Sequence, residues 1–171
     1  MTHARALSPV LKIVFLVLLL AACFTAQAQQ PPAKPNLSGN WVFKPEKSSL
    51  KMPAPTSMTL RIEHADPQVR FSRTQVYGEQ HFDWNLDTIA DGQKEVEQKE
   101  PQYTSTVRVY WQGSSLVLDQ QITADDGTKA TDVVTYSLIE DNKALEAIER
   151  QTVAGSKGSI TNKWVYERVQ Q

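Results

Sequence analysis

The chain has 171 residues, with 18 basic and 19 acidic side chains, a formal net charge of −1, three histidines and one cysteine. The length suits a single domain able to bury a core. Nucleic-acid binding needs a basic surface to neutralise phosphates, and this balance excludes one. A lone cysteine excludes an intrachain disulfide and a cysteine-based zinc site.

Residues 1–12 carry Arg5 and Lys12 and no acid, and an unbroken apolar run fills 13–22. A positive start before a short hydrophobic run reads as a signal peptide, because a permanent span needs about 20 apolar residues. Removing residues 1–22 leaves the acidic side chains in excess and a net charge of about −3. Leu20-Ala21-Ala22-Cys23 resembles the lipobox of bacterial lipoproteins. That resemblance implies cleavage after residue 22 and a lipid on Cys23. Ala26-Gln27-Ala28 offers the alternative, cleavage after residue 28 by an ordinary signal peptidase. The expected location is the periplasmic face of the cell envelope, either lipid-anchored at Cys23 or soluble in the periplasm. Residues 23–36 contain Pro31, Pro32 and Pro35 and read as a disordered tether.

From Leu37 to Val169 apolar residues alternate with polar ones, and turn signals interrupt the runs at intervals of about 10 residues. The first run is 37–44, stopped by Pro45. Run 57–64 places Met58, Leu60, Ile62 and His64 on one face, and Asp66-Pro67 turns the chain. Run 68–76 aligns Val69, Phe71, Arg73 and Gln75, and run 81–88 aligns Phe82, Trp84 and Leu86. Asp91-Gly92 is a turn, since glycine takes positive φ at no steric cost. The polar stretch 94–99 pairs weakly at best. Run 102–111 aligns Tyr103, Val107, Val109 and Trp111, and run 116–122 aligns Leu116, Leu118 and Ile122. Run 129–138 aligns Val134, Tyr136 and Leu138, with Asp132 in the same phase; runs 144–153 and 159–169 complete the series.

Short connections make sequential strands antiparallel neighbours. The expected fold is therefore all-β, an up-and-down antiparallel β-barrel of about 8–10 strands spanning residues 37–169. Closure removes the exposed edges that an open sheet of this size would carry. A two-sheet sandwich is the competing arrangement.

Leu37-Ser38-Gly39-Asn40-Trp41 holds the Gly-x-Trp signature that opens the first strand of calycins, and the domain resembles that superfamily of lipocalins and fatty-acid-binding proteins. Trp164-Val165-Tyr166-Glu167-Arg168 is similar to the closing strand of the fatty-acid-binding proteins. Ser38-Gly39-Asn40-Trp41 with Pro45-Glu46-Lys47-Ser48 resembles small exported bacterial lipocalin-like proteins of unassigned function. The resemblance implies a lipocalin-like barrel with Trp41 plugging one end and a small apolar or amphipathic ligand inside. Two features depart from the fatty-acid-binding pattern. Pro53 and Pro55 forbid its two helices in 46–56, and Trp164 stands where its carboxylate-binding arginine would be.

No nucleophile triad, phosphate loop or paired-carboxylate motif is present, so no catalytic residue is assigned and no enzyme activity, metal or cofactor is expected. His64 and His81 read as surface residues. Arg73, Gln75 and Gln120 share a phase with apolar residues, as do Trp84, Trp111, Tyr136 and Tyr166. The candidate ligand site is Arg73, Trp84, Trp111, Gln120, Tyr136 and Tyr166. An inward Arg73 needs a counter-charge, because burying a lone charge costs several kcal/mol; Asp132 or an anionic ligand head would provide it. The chain is expected to act as a monomer, to touch the membrane only through its anchor, and to bind no nucleic acid. The competing reading is a filled-core barrel serving as an interaction or structural protein, and a lumen of about 300 Å³ or more separates the two.

Overall fold

The computed structural model describes residues 34–169. The leader, both cleavage sites, Cys23 and residues 23–33 of the expected tether lie outside the described residues. Residues 34–36 lie against the barrel: Lys34 Nζ sits 2.9 Å from Asp66 Oδ1, and Asn36 Oδ1 accepts from the Ser38 amide.

Ten strands follow one another: β1 (Gly39–Phe43), β2 (Ser57–Ala65), β3 (Gln68–Tyr77), β4 (Gln80–Ile89), β5 (Glu95–Glu100), β6 (Tyr103–Gln112), β7 (Ser115–Ala124), β8 (Lys129–Ile139), β9 (Ala144–Val153) and β10 (Ser159–Arg168). They form one sheet in the order β4-β3-β2-β1-β10-β9-β8-β7-β6-β5, with every ladder antiparallel. The fold is a nearly closed up-and-down barrel, and the single sheet rules out the sandwich. The polar stretch 94–99 is a strand after all, paired residue for residue with β6. Its other edge meets β4 through a side chain. Gln98 Oε1 accepts from Trp84 Nε1 at 2.8 Å, and Gln98 Nε2 donates to the Asn85 carbonyl at 2.7 Å.

One end of the barrel is packed solid. Strand alternation turns Leu60, Ile62, Val69, Phe71, Val107, Val109, Leu116 and Leu145 inward, all of them buried. Trp41 lies among them with none of its surface exposed. Its indole Nε1 donates to the Leu37 carbonyl at 3.2 Å, and the Arg168 guanidinium lies 4.2 Å above the ring centroid. Gly39 makes room for this stack. A Cβ there would stand 2.5 Å from Arg168 Nη1, so the Gly-x-Trp spacing has a steric reason in this chain.

The segment between β1 and β2 contains one 3-10 turn, Pro45–Lys47, and no other helix. It is laced to β10 by paired Ser49 and Lys163 backbones and by the Lys51 amide donating to Asn162 Oδ1 at 2.7 Å. This lacing carries Met52 to the opposite, open end of the barrel.

Candidate functional site

The open end leads into a cavity of about 320 Å³. Strand direction decides which residues reach it. β3, β7 and β9 end at this mouth, and β2, β4, β6, β8 and β10 begin there, so the inward residues of those halves form the wall. The floor is apolar and aromatic, made by Met58, Leu118, Val134, Tyr136, Trp164 and Tyr166. Above it sit polar groups from facing walls. Gln120, Asp132 and Gln151 lie side by side across β7, β8 and β9. Arg73 stands on β3, directly opposite Trp84 on β4, and its guanidinium lies 5.1 Å from the centre of that indole.

Glu149 is buried one row below Asp132 and is fully engaged. Its Oε2 accepts from Asn162 Nδ2 at 2.7 Å and Trp164 Nε1 at 2.9 Å, and its Oε1 accepts from Gln151 Nε2 at 3.2 Å. Gln120 is anchored by its Nε2 donating to Ser105 Oγ at 2.8 Å. Of the residues lining the cavity, two carry a buried polar atom with no such partner: Arg73 Nε and Asp132 Oδ1. No ion pair joins Arg73 to Asp132 or Glu149.

Burial pushes the Asp132 carboxyl up to about 7, and the charge of Glu149 adds to that, while Arg73 acts in the opposite direction. Burial also raises the Tyr136 hydroxyl, to about 12, and the Tyr166 hydroxyl further, so both rings remain neutral in the cavity. Arg73 is the only cation among the lining residues.

The structure brings five of the candidate ligand residues to one place: Arg73, Trp84, Gln120, Tyr136 and Tyr166. Trp111 is elsewhere. β6 starts at the mouth with Tyr103 and ends at the closed end, so Tyr103 lines the cavity and Trp111 packs at the far end. There it packs on His64, ring centroids 5.3 Å apart and planes tilted by 47°, beneath Lys34. His64 is therefore not a surface residue: its side chain is only 5% exposed, and neither ring nitrogen has a hydrogen-bond partner. It continues the inward phase of Leu60 and Ile62, and the phase outweighs its place near the strand end. His81, on the outward phase of β4, is exposed. The two histidines do not meet, and no cluster of three potential metal ligands occurs among the described residues.

Glu149 and Tyr103 were not singled out from sequence. Glu149 alternates with Leu145 and Ala147, and Tyr103 with Val107 and Val109, so phase alone marked both as inward. Exposed Met52, Phe82 and Ile160 lie around the mouth: Met52 lines the cavity itself, and Phe82 and Ile160 pair with the lining residues Gln75 and Gln151.

No protein-family model matches the chain, and no curated protein does. Solved structures do. A secretory abundant heat soluble protein from Ramazzottius varieornatus superposes with a TM-score of 0.53 at 11% identity, over 82% of this chain and 100% of that one. Secretory abundant heat soluble protein 4 of the same organism gives 0.51 at 12% identity, over 81% and 99%. The fluorescent protein UnaG gives 0.50 at 16% identity, over 78% and 97%. At these identities the likeness shows the fold alone, a nearly closed up-and-down antiparallel β-barrel.

Proposed function

We propose that this protein is an exported binding protein of the bacterial lipocalin-like kind, which holds a small apolar or amphipathic molecule in the mouth cavity and carries out no catalysis. The observation that carries this reading is the cavity itself. Its 320 Å³ falls at the lower end of the range for small-molecule sites, about 300–1,000 Å³. It combines an apolar aromatic floor with a few convergent polar groups, the usual make-up of such sites. Five aromatic residues, Tyr77, Trp84, Tyr103, Tyr136 and Trp164, line it together with Tyr166. A filled-core interaction protein would have no use for Asp132 and Arg73 facing a lumen.

The leader and the cysteine at its end support placement in the envelope, with the barrel acting as a monomer on a lipid tether or free in the periplasm. Native mass spectrometry of protein purified from its own host tests the binding reading. A reproducible small-molecule adduct, lost on Tyr136→Trp filling of the lumen, is the expected result; bare protein throughout would overturn it. Fatty-acid labelling of cells tests the anchor. Label on the wild type and none on Cys23→Ser is expected, and an unlabelled wild type leaves the soluble form.

A further inference from the structure

The cavity's charges and unpaired polar atoms together define a head group. We infer that the molecule held in this cavity is uncharged at its polar end and presents a hydrogen-bond acceptor beside a donor, as an amide, lactam or ureide does. This rests on the reading of the cavity as a ligand site.

Charge is the first ground. Arg73 is a guanidinium and always cationic. Glu149 uses its oxygens only as acceptors, towards three N–H donors, which is the pattern of an ionised carboxylate. One positive and one negative group already share the cavity. A carboxylate ligand would bring a second negative charge into a wall that holds no second cation. An ammonium ligand would bring a second positive charge beside Arg73, balanced only by ionising Asp132 in a buried position next to Glu149. Either ion also loses its own hydration on entry, a cost of several kcal/mol that a neutral head avoids.

Hydrogen bonding is the second ground, and it is independent of the first. Arg73 Nε is an unpartnered donor, and Asp132 Oδ1 is an unpartnered oxygen on the facing wall. An ammonium has no acceptor for Arg73, and a carboxylate, which can accept from Arg73, has no donor for Asp132 once Asp132 is ionised and no second cation while it is protonated. A head seated between them with both functions satisfies each wall, and leaving either buried group unmade costs about 1–3 kcal/mol. The groups facing Asp132 are Arg73 on β3, Tyr103 on β6, Gln120 on β7, Tyr136 on β8, Glu149 and Gln151 on β9, and Tyr166 on β10. None of them supplies a second positive charge. The apolar floor of Met58, Leu118 and Val134 takes a short hydrocarbon tail.

Octanamide, octanoate and octylamine share one tail and differ only in the head. Titration of the whole exported domain with each, at pH 6.0 and pH 8.5, is read by quenching of Trp84 and Trp164. At pH 6.0, where Asp132 holds its proton, octanamide is expected to bind about tenfold tighter than either ion, the ratio that about 1.4 kcal/mol gives; at pH 8.5, where Asp132 is ionised, octanoate should fall further behind and octylamine should gain. Arg73→Met and Asp132→Leu should each weaken octanamide by about tenfold. Asp132→Asn, which keeps shape and hydrogen bonding, should retain it. Octanoate or octylamine binding as tightly as the amide at pH 6.0 would overturn the head-group assignment and leave the binding reading standing. No response to any of the three, nor to octan-1-ol, would overturn both.

Discussion

Arg73 and Asp132 stand on β3 and β8, five places apart in the ten-strand order, and line one cavity from facing walls without forming an ion pair. Each is held by something else. Arg73 lies on the face of Trp84, and Asp132 sits between Gln120 and Gln151 in a row whose lower neighbour is the occupied carboxylate of Glu149. Each keeps one buried polar atom, Arg73 Nε and Asp132 Oδ1, without a hydrogen bond.

This arrangement makes Asp132 a destabilising acid at alkaline pH. Its carboxyl is raised from 3.8 to about 7 in the folded protein, so between those values the native state holds a proton that the unfolded chain has released. Stability from this group is full below pH 4, is lost as pH rises from about 4 to 7, and stays lost above. Three pH units correspond to an upper value of about 4 kcal/mol, which access to water at the mouth reduces. Asp132→Asn should therefore melt higher than wild type at pH 8 and nearly equal to it at pH 4. Equal melting temperatures at pH 8 would show that Asp132 is solvated.

His64 has the opposite sign. Burial lowers its pKa below the ordinary 6.5, with Asp66 working against that and Lys34 with it. As pH falls below 6.5 the unfolded chain takes up a proton before the native one does, so stability is lost in the acid direction. His64→Phe keeps the ring packing on Trp111 and removes two buried nitrogens without partners. It should raise the melting temperature at pH 8 and raise it more at pH 5. A variant less stable than wild type at pH 5 would mean that the imidazole is hydrated or charged in the native state.

The strands were legible because alternation and turn residues are local signals. Gly78, Gly92, Gly113, Gly127 and Gly155 all take positive φ at the turns that bound the strands. Phase was legible too: Arg73 and Gln120 alternate in step with apolar residues, and both line the cavity. Height along the barrel was not. Trp111 and Tyr103 share one face of β6, and only the direction of the strand relative to the mouth tells which reaches the cavity. The engagement of Glu149 was also hidden, because its partners Asn162 and Trp164 come from a different strand and nothing in a single sequence reports that pairing. The seam between β4 and β5 was hidden for the same reason: a side-chain bridge across 14 residues leaves no periodic trace.

Trp41 fills the closed end, and its loss should be felt through the whole core. It is completely buried, with Arg168 stacked on one face and the Leu37 carbonyl on its indole nitrogen. Truncating a buried large aromatic costs about 3–5 kcal/mol, because a cavity replaces both transfer and packing energy. Trp41→Ala should lower the urea midpoint accordingly, while the binding of octanamide at the opposite end persists in whatever fraction remains folded. An unchanged midpoint would show that the plug contributes nothing.

Gln98 is the remaining point of weakness, because it substitutes for a strand ladder. β4 and β5 are the two ends of the sheet order, and the amide of this one residue bonds both the Trp84 indole and the Asn85 carbonyl. Backbone ladders elsewhere in the barrel run over three to ten residue pairs, so losing one bond there changes little; here both bonds are lost together. Gln98→Ala should cost about 1–2 kcal/mol, since the site is partly solvated and water replaces some of the bonding. The more telling readout is local. Amide hydrogen exchange should quicken along β4 and β5, the edges on either side of the seam, and stay unchanged in β8, β9 and β10. Trp84 emission should also shift to the red as its indole gains access to water. Lys99→Ala, next along β5 but outside the bridge, serves as the control and should alter neither exchange nor emission. If the two variants behave alike, the seam is held by something other than Gln98.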